Sequence, residues 1–391
     1  MLFRAEIGKA PKTRQISEAP EAQGAGQGGV QMRPDGIRVG VVGVGYWGLR
    51  HLRVLQSTTG VAAVVGVDQR FTQIGNGKQQ ADHGFTAYAS LEDALPDVDA
   101  VIIATPPASH APLGLKAIAA RKHVLVEKPM ATSTEAARSL VEAAEAAGVV
   151  LMPGHTFEHN AAVHKLRDLV RGGHLGRLFY LDCARLNLGL YQTDVNVILD
   201  LAPHDISISN FVLGSRPTTV TAWGSRHIHP ELEDVAYLRL DYADLGVRAH
   251  VHVSWLDPRK VRRITAVGSK KMALYDDMSD EERIRVYDKS AVPPDSDAPL
   301  SGVAYHLGDV VSPYVAFAEP LAVQDQHFVD CIMTKSVPRV NGSSGVAVVQ
   351  VLECAQISLQ EQRPVALAEV AQRRGDGQPA PGAALAGTPV G

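Results

Sequence analysis

A lysine in the first half of the chain stands where a parallel sheet would bind a ligand. Lys128 belongs to the segment Glu127-Lys128-Pro129, which follows a buried apolar run, His123 to Val126, that is typical of a strand. Open parallel sheets bind ligands at the carboxyl ends of their strands, so Lys128 is positioned to reach a substrate hydroxyl. Pro129 removes a donor and fixes the turn, a cis peptide bond being one way to do so. A solvated lysine in a loop fits the same spacing.

The segment Asp200-Leu-Ala-Pro-His204 offers a second group that can exchange protons. Pro203 fits the first turn of a helix, and Gly214 marks that helix's end. Asp200 and His204, four residues apart near the helix N-terminus, can then face the same side. A histidine with a near-neutral pKa can take a hydroxyl proton while hydride leaves the carbon, and Asp200 can orient it or bind a substrate hydroxyl. A hydrogen-bonded structural histidine is an equal alternative, and Asp205 is either a competing carboxylate or compensation for the helix dipole.

One segment has the glycine spacing of a dinucleotide-binding turn, with Gly43, Gly45 and Gly48. It follows a predicted strand, Ile37 to Val42, and opens a predicted helix. The first glycine allows a tight turn, the second lets the backbone approach a pyrophosphate, and the third allows close packing of helix on strand. Asp68, at the end of the next strand, would accept hydrogen bonds from a ribose diol and repel a 2′-phosphate. This pattern predicts NAD as the cofactor.

Three side chains beside this turn have open roles. Arg70 lies two residues after Asp68, and a guanidinium there is able to meet a 2′-phosphate, which leaves NADP as the alternative. Tyr46 and Trp47, inside the glycine pattern, either stack on the cofactor or pack the turn. We include all three among the candidate cofactor-binding residues.

A densely polar segment precedes Asp200, and its candidate substrate-binding residues are Arg185, Asn187, Gln192, Asp194 and Asn196. The segment is either a loop that lines the substrate site, or a polar connection or subunit contact. Two histidine pairs, His227 with His229 and His250 with His252, each place two imidazoles on one strand face. Because no cysteine or carboxylate stands nearby at ligand spacing, we predict no metal site.

Two kinds of pattern surround these motifs. From Ile37 to about Met152, apolar strands alternate with helices, which predicts a doubly wound parallel sheet covered on both faces. After about Gly154, longer alternating strands joined by hairpin signals predict a mostly antiparallel sheet of about six or more strands. We therefore predict an α/β fold with a Rossmann domain over 37–153 and an α+β domain with a large open sheet over 154–365. Residues 1–36 and 366–391 lack apolar periodicity and are predicted to be flexible.

Composition excludes several classes of protein. A chain of 391 residues exceeds the usual size of one hydrophobic core, and its net charge of −4 disfavours a nucleic-acid partner. No apolar run reaches the roughly 18 residues of a membrane helix, and the polar N-terminus is unlike a signal peptide. The three cysteines form no paired motif, which fits thiols in a reducing compartment. We predict a cytoplasmic protein.

Four motifs, in this order, resemble the Gfo/Idh/MocA oxidoreductases, the glucose-fructose oxidoreductase and inositol dehydrogenase group. They are the Gly43 motif ending in Tyr46-Trp47-Gly48, the loop Ala104-Thr105-Pro106-Pro107-Ala108-Ser109-His110, Glu127-Lys128-Pro129, and Asp200 with His204. The resemblance covers about residues 37–365. It implies a Rossmann domain, a second domain with a large open sheet, and a dimer or tetramer joined through that sheet.

The resemblance also implies roles for single residues. Lys128 is similar to the lysine that binds the reacting hydroxyl and assists proton transfer, His204 to the catalytic histidine, and Asp200 to its partner. The Thr105-Pro106 loop is similar to the one beside the nicotinamide, and we include His110, Glu127 and Lys128 with it as candidate cofactor-binding residues. Asn160 resembles a substrate-side asparagine.

Within the family, the segment from Arg185 to Asn196 and the Asp200-Leu-Ala-Pro-His204 motif are most similar to nucleotide-sugar 3-dehydrogenases. These oxidise the 3-hydroxyl of a UDP-hexose, of the UDP-glucose or UDP-N-acetylglucosamine type, to a 3-keto sugar in biosynthetic pathways. An inositol or free-sugar dehydrogenase, or a keto-sugar reductase, has the same fold. A non-catalytic sensor of NAD(H) or a sugar nucleotide is the alternative of another class.

Overall fold

The computed structural model describes residues 36–73, 79–80, 84–189, 191–193, 195–292 and 304–372, and these contain two sheets. Seven strands form the first: β1 (Ile37–Val42), β2 (Val61–Val67), β3 (Gln79–Gln80), β4 (Thr86–Tyr88), β5 (Ala100–Ile103), β6 (His123–Glu127) and β7 (Leu151–Gly154). Their spatial order is β3-β4-β2-β1-β5-β6-β7, and only the β3–β4 pair is antiparallel. The predicted parallel Rossmann sheet is confirmed.

The strand order of this sheet reverses beside β1. The chain runs outward from β1 to β2 and β4, and then returns to β5 on the other side of β1. In such sheets the connections after the two central strands diverge, which leaves a crevice at their carboxyl ends. The glycine turn follows β1 and the Thr105-Pro106 loop follows β5, so both predicted cofactor segments border this crevice.

Four helices accompany the first sheet: α1 (Tyr46–Leu55), α2 (Leu91–Ala94), α3 (His110–Ala119) and α4 (Thr134–Ala147). The side chains of Ser90 and Ser133 accept hydrogen bonds from the main chain of α2 and α4, as expected of N-cap residues. Gly148 ends α4 with φ of 65°. These helix ends follow from local chemistry that the sequence displays directly.

Nine strands form the second sheet: β8 (Leu178–Leu186), β9 (Thr219–Ser225), β10 (Val235–Tyr242), β11 (Val247–Ser254), β12 (Val261–Gly268), β13 (Met272–Asp276), β14 (Ile284–Val292), β15 (Ala304–Val311) and β16 (Val365–Ala366). The order is β15-β14-β13-β12-β8-β11-β10-β9-β16, and only the β8–β11 pair is parallel. The prediction of a large, mostly antiparallel sheet is confirmed.

Helices cover one face of this second sheet: α5 (Ala161–Arg171), α6 (Val197–Leu213), α8 (Gly342–Glu361) and α9 (Leu367–Gln372). Burial along β11 alternates between residues, as expected where one face packs on helices and the other does not. Ile206 and Val212 of α6 and Val351 of α8 are fully buried in the core below the sheet. Side chains such as Trp223 and Tyr237 remain exposed on the opposite face.

The remaining long helix, α7 (Pro320–Thr334), packs against α1 beside the first sheet, although it follows most strands of the second sheet in the chain. Phe328 and Val329 of α7 are buried in one cluster with Val41 and Leu52. Because α7 and part of α8 pack into the cores beside the first sheet, no single point in the sequence separates the residues of one core from those of another. A division at 153 and 154 stays a prediction.

The structure differs from the sequence prediction in the start of helix α6 and in two strands, β14 and β15. Helix α6 begins at Val197 with Asn196 as its N-cap, so Pro203 lies inside the helix and not in its first turn. Burial of Val197 and Ile198 extends the helix upstream of the proline. Strands β14 and β15 were not predicted, because much of this hairpin is exposed and its apolar alternation is weak.

The predicted flexible termini lie mostly outside the described residues. Residues 366–372 are an exception, since Ala366 pairs with Thr219 at the edge of the second sheet and α9 follows. None of the described helices is both long enough and apolar enough to cross a membrane.

Candidate active site

The three glycines after β1 form an open cradle at the start of α1. Gly43 has φ of 88°, and its N–H donates to the Val67 carbonyl at 2.8 Å, which closes the turn onto β2. A side chain on Gly48 would collide with the Gly43 carbonyl oxygen, so this position needs the close approach that glycine allows. A Cβ on Gly45 would meet no described atom within 4 Å. Space therefore remains in front of the helix N-terminus, where a pyrophosphate fits.

The carboxylate of Asp68 lies beside this cradle. Its Oδ2 accepts from the Val44 N–H at 2.9 Å, and its Oδ1 accepts from Arg70 Nε at 2.9 Å. The hydrogen bond from the Arg70 side chain lowers the pKa of Asp68 to about 2, so the carboxylate is ionised at neutral pH. Arg70 also donates to the Val44 carbonyl and is 68% exposed. An anion held here suits a ribose diol and opposes a 2′-phosphate.

Tyr46 and Trp47 lie at the surface of the first turn of α1. They are 65% and 40% exposed, and their rings meet edge to face with centroids 5.5 Å apart. The Arg50 guanidinium covers the Tyr46 ring at 3.5 Å. The rings thus pack on one another and on Arg50 but not into the core beneath the turn. Their binding to a cofactor stays a prediction.

His110 joins the loop after β5 to the turn after β6. Its Nε2 lies 2.7 Å from the Thr105 carbonyl oxygen, and its Nδ1 lies 2.8 Å from the Pro129 carbonyl oxygen. The Ser109 hydroxyl donates to Thr105 Oγ1 at 2.7 Å. Thr105, Pro106 and the lysine turn are therefore held together as one wall of the crevice.

The Lys128 ammonium rests on the first part of α6. Its Nζ donates to the main-chain carbonyl of Asp200 at 2.8 Å and lies 3.4 Å from the Asp200 carboxylate. The Lys128–Pro129 peptide bond is cis, and the Lys128 side chain is 11% exposed. Trp255 Nε1 donates to the other Asp200 oxygen at 3.0 Å. Asp200 is thereby fixed between an ammonium and an indole.

His204 lies one helical turn after Asp200, on the side of α6 that these groups occupy. Its Nδ1 has no hydrogen-bond partner among the described residues, and the Phe157 ring meets the imidazole at 5.0 Å between centroids. Burial lowers the pKa of His204 well below its ordinary value, and the nearby cations Lys128, Arg185 and Arg262 lower it further. The imidazole is therefore neutral at pH 7 and able to accept a proton.

Glu127 is buried behind the lysine turn. Its Oε1 lies 3.2 Å from His51 Nε2, and its Oε2 accepts from the Lys128 N–H at 3.1 Å. Both carboxylate oxygens thus have protein partners, and the side chain supports the lysine turn from behind. Its inclusion among the cofactor-binding residues stays a prediction.

Comparisons with known proteins agree with this arrangement. Residues 37–155 match the model of an oxidoreductase family with an NAD-binding Rossmann fold, and residues 163–274 match the GFO/IDH/MocA C-terminal domain. The two matches together cover more than half of the chain. The chain belongs to the Gfo/Idh/MocA oxidoreductase family. The resemblance inferred from the four motifs is thus confirmed, and so is the NAD-binding Rossmann domain.

Individual members of the Gfo/Idh/MocA family are similar at modest identity. A UDP-N-acetylglucosamine 3-dehydrogenase of Acidithiobacillus ferrooxidans is 31% identical over 190 residues, 48% of this chain and 58% of that protein. An inositol 2-dehydrogenase of Ralstonia nicotianae is 31% identical over 229 residues, 56% of this chain and 67% of that protein. The structure of GenD2 from gentamicin A biosynthesis, in complex with NAD, superposes with a TM-score of 0.69 at 25% identity, over 88% of this chain and 99% of that one. The chain thus spans about three fifths of the first relative's length.

In this Gfo/Idh/MocA chain, two predicted substrate residues, Arg185 and Asn196, are buried in internal contacts. Arg185 forms a bidentate ion pair with Asp205, with Nε 2.7 Å from Oδ2, and its guanidinium lies 4.6 Å from the Phe157 ring centroid. Asn196 caps α6 and donates to Glu233 at 2.8 Å. These contacts place both residues as supports behind the site, and their substrate-binding role stays a prediction.

The other predicted substrate residues occupy three different settings. Asn160 caps α5, and its amide donates to the Tyr275 hydroxyl at 3.1 Å. Asn187 and Gln192 are partly exposed, in the connection between β8 and α6. Asp194 lies outside the described residues.

The histidine pairs have ordinary neighbours in the described part of the chain. His252 stacks on Tyr237 with centroids 4.1 Å apart, and His227 Nδ1 lies 2.7 Å from Asp234. Within the described ranges, no group of three or more potential ligands is arranged to hold a metal.

Sequence reasoning missed four side chains at this site: Trp255, His51, Asp325 and His155. His155 directly follows β7, whose Gly154 pairs with Glu127, so it lies level with Lys128 on the adjacent strand. It is 1% exposed with neither ring nitrogen bonded to a described residue, and burial lowers its pKa to about 4. His155 could have been found from the sequence, because a polar residue directly after a parallel strand lies at the edge of the sheet that binds ligands. The contacts of Trp255, His51 and Asp325 join residues far apart in sequence and give no such signal.

Proposed function

We propose that this chain is an NAD-dependent dehydrogenase that oxidises a secondary hydroxyl of a sugar. The substrate we propose is a UDP-hexose, of the UDP-glucose or UDP-N-acetylglucosamine type, and the product is its 3-keto sugar. The observation that carries the proposal is a neutral imidazole, His204, one helical turn from the Asp200 that anchors the Lys128 ammonium. We infer that base and cation face one cleft at the carboxyl ends of the strands of the first sheet.

The two groups have complementary roles. Gly43, Gly45 and Asp68 would hold NAD, which would supply the acceptor for the hydride that leaves the carbon bearing the hydroxyl. His204 accepts the hydroxyl proton, which its low pKa permits at neutral pH. Lys128 lies where its charge stabilises the negative charge that develops on the oxygen. Asp200, bonded by Trp255, holds the ammonium in place.

Positive charge around His204 supports an anionic substrate. Lys128, Arg185 and Arg262 all lie close enough to lower the pKa of this imidazole. Arg185 is neutralised by Asp205, whereas the Arg262 side chain is 36% exposed, 3.3 Å from Asp277. A partly exposed guanidinium beside the cleft suits a diphosphate. The similarity to a UDP-N-acetylglucosamine 3-dehydrogenase favours the same class of substrate.

The test is turnover of a panel of UDP-hexoses with NAD, followed by absorbance of the reduced nicotinamide. We expect activity with at least one UDP-hexose, and losses of about 100-fold to 10,000-fold in kcat for Lys128→Ala and for His204→Asn. His174→Gln, at an exposed position, is the matched control and retains the native rate. Near-native rates in both site variants would refute the mechanism.

An inositol or free-sugar dehydrogenase is the second candidate, favoured by the similarity to an inositol 2-dehydrogenase. The two candidates differ in whether the substrate carries a nucleotide. Calorimetric titration with UDP alone separates them, because a nucleotide-sugar site retains affinity for the nucleotide. A heat signal with UDP supports the first candidate, and turnover of inositol without UDP binding supports the second.

We also propose that the protein is a homo-oligomer joined through the second sheet. The uncovered face of that sheet carries a stack of three rings. The Trp223 and Tyr237 centroids lie 5.5 Å apart, and the Tyr237 and His252 centroids lie 4.1 Å apart. Large aromatic side chains on a face that its own helices leave bare favour a protein contact.

A further inference from the structure

We propose that His51 is a positioning residue for Lys128: it bridges two buried carboxylates and thereby fixes the turn that carries the lysine. The inference deepens the proposed function and rests on Lys128 being the cation of that site. His51 itself lies on α1, one turn after Gly48, and has no place in the proton transfer described above.

The bridge joins three elements that are distant in sequence. His51 Nδ1 lies 2.8 Å from Asp325 Oδ2 on α7, and His51 Nε2 lies 3.2 Å from Glu127 Oε1 at the end of β6. His51 and Asp325 are fully buried, and Glu127 is nearly so. Gln324 supports the far end, with its Nε2 3.4 Å from Asp325 Oδ1 and its Oε1 accepting from the Thr156 hydroxyl at 2.9 Å.

The imidazole is charged in this setting. Burial by itself would lower the pKa of His51, but the carboxylates of Asp325 and Glu127 outweigh burial and raise it to about 10. A neutral imidazole donates only one hydrogen bond, whereas the imidazolium donates from both nitrogens. Both short contacts with carboxylates are therefore satisfied at neutral pH.

The bridge reaches Lys128 through the two oxygens of one carboxylate. Glu127 Oε1 is held by His51, and Glu127 Oε2 accepts from the main-chain N–H of Lys128 at 3.1 Å. On the side of β7 there is no room, since a Cβ on Gly154 would lie 3.0 Å from Glu127 Oε1. With its carboxylate clamped in this way, the turn presents the Lys128 side chain to Asp200.

A positioning role and a merely structural role of His51 predict different effects of His51→Gln on kcat when Lys128 is absent. If His51 acts through Lys128, the loss of activity in His51→Gln disappears once the lysine is gone. We expect His51→Gln to lower kcat about 10-fold in the native background and less than about 2-fold in the Lys128→Ala background. Equal factors in both backgrounds would overturn the inference.

A measurement without substrate keeps the inference separate from the proposed function. The probe is acetylation of the Lys128 amine by N-hydroxysuccinimidyl acetate, followed by mass spectrometry of the native, full-length protein. We expect His51→Gln to raise the Lys128 labelling rate at least about 3-fold, and His174→Gln to leave it unchanged. An unchanged rate in His51→Gln would refute the inference, whereas increased labelling in a protein that turns over no UDP-hexose would refute only the proposed substrate.

A second variant covers failure of His51→Gln to fold. The double variant His51→Gln with Asp325→Asn removes one cation and one anion, so it leaves the same net charge in the cluster as the native protein. We expect it to fold and to show the same rise in Lys128 labelling. A folded double variant with native labelling would contradict the positioning role.

Discussion

At the scale of single residues, the chemistry rests on environments that shift proton affinity in useful directions. Burial and nearby cations lower the pKa of His204, which keeps its imidazole unprotonated at neutral pH, and hydrogen bonds from Arg70 and Val44 lower the pKa of Asp68. Neither property belongs to the amino-acid type alone. Each arises from neighbours that stand on other elements of the fold.

The first prediction concerns the acid side of the pH profile. Since the folded-state pKa of His204 lies below 6.5, its imidazole is the free base at pH 7 and becomes protonated only at lower pH. We expect kcat/KM for hydroxyl oxidation to be level near pH 7 and to fall as pH drops through that pKa. Steady-state rates between pH 4.5 and 8 measure this limb. A fall centred above pH 6.5 would contradict the assignment of His204 as the base.

The second prediction concerns cofactor choice at Asp68. Asp68→Asn keeps the shape but removes the negative charge that the Val44 N–H and Arg70 hold in place. We expect NAD affinity to fall and the preference for NAD over NADP to shrink by about 10-fold, because Arg70 is then free to meet a 2′-phosphate. Dissociation constants from quenching of protein fluorescence measure both cofactors. His174→Gln, at an exposed position before β8, serves as the control.

At the scale of elements, the site is assembled from the carboxyl ends of four strands and the first half of one helix. The strands are β1, β5, β6 and β7, and the helix is α6. The loop after β5 is tied to the turn after β6 by His110, and that turn is tied to α6 by Lys128 and to α1 and α7 by Glu127 and His51. Elements from both ends of the chain thus hold one lysine.

The third prediction concerns stability against pH in this assembly. The pKa of His51 is raised from 6.5 to about 10. The stabilisation of the fold by the charged imidazole is therefore complete below pH 6.5 and is lost as pH rises through about 10. We expect the free energy of unfolding to decrease by on the order of a few kcal/mol between pH 6.5 and 10. Urea titrations at several pH values measure it. In His51→Gln the free energy of unfolding should depend much less on pH over this range. An equal pH dependence in the variant and the native protein would contradict the prediction.

At the scale of the whole molecule, one face of the second sheet has no cover from its own helices. The core below that sheet is complete, whereas Trp223, Tyr237 and Tyr180 stand exposed above it. Since a two-layer domain normally leaves polar residues on its outer face, this surface favours a second copy of the chain.

The fourth prediction tests that surface. We expect the native protein to be a dimer or tetramer by light scattering coupled to size exclusion. Trp223→Asp with Tyr237→Asp should shift it to a smaller species with native circular dichroism, because two charges would be desolvated in the contact. Val337→Asp, at an exposed position just after α7, should leave the mass unchanged. A native monomer would refute the proposed oligomer.

The sequence by itself determined the elements and motifs whose signals are local. The glycine turn, the Ser133 cap, the Gly148 helix end and the apolar periods of both sheets arise from interactions within a few residues, so they can be read along the chain. The start of α6 was misread because Asn196 and the burial of Val197 outweigh the signal of Pro203.

Only the tertiary structure decided how the site is supported. The contacts of His51 with Asp325, of Lys128 with Asp200 and of Arg185 with Asp205 have sequence separations of 274, 72 and 20 residues. No periodicity or local spacing encodes such pairs, because their partners meet only when the two sheets and α7 pack. The same packing sets the burial that makes His204 neutral and His51 charged, which no count of residues along the chain provides.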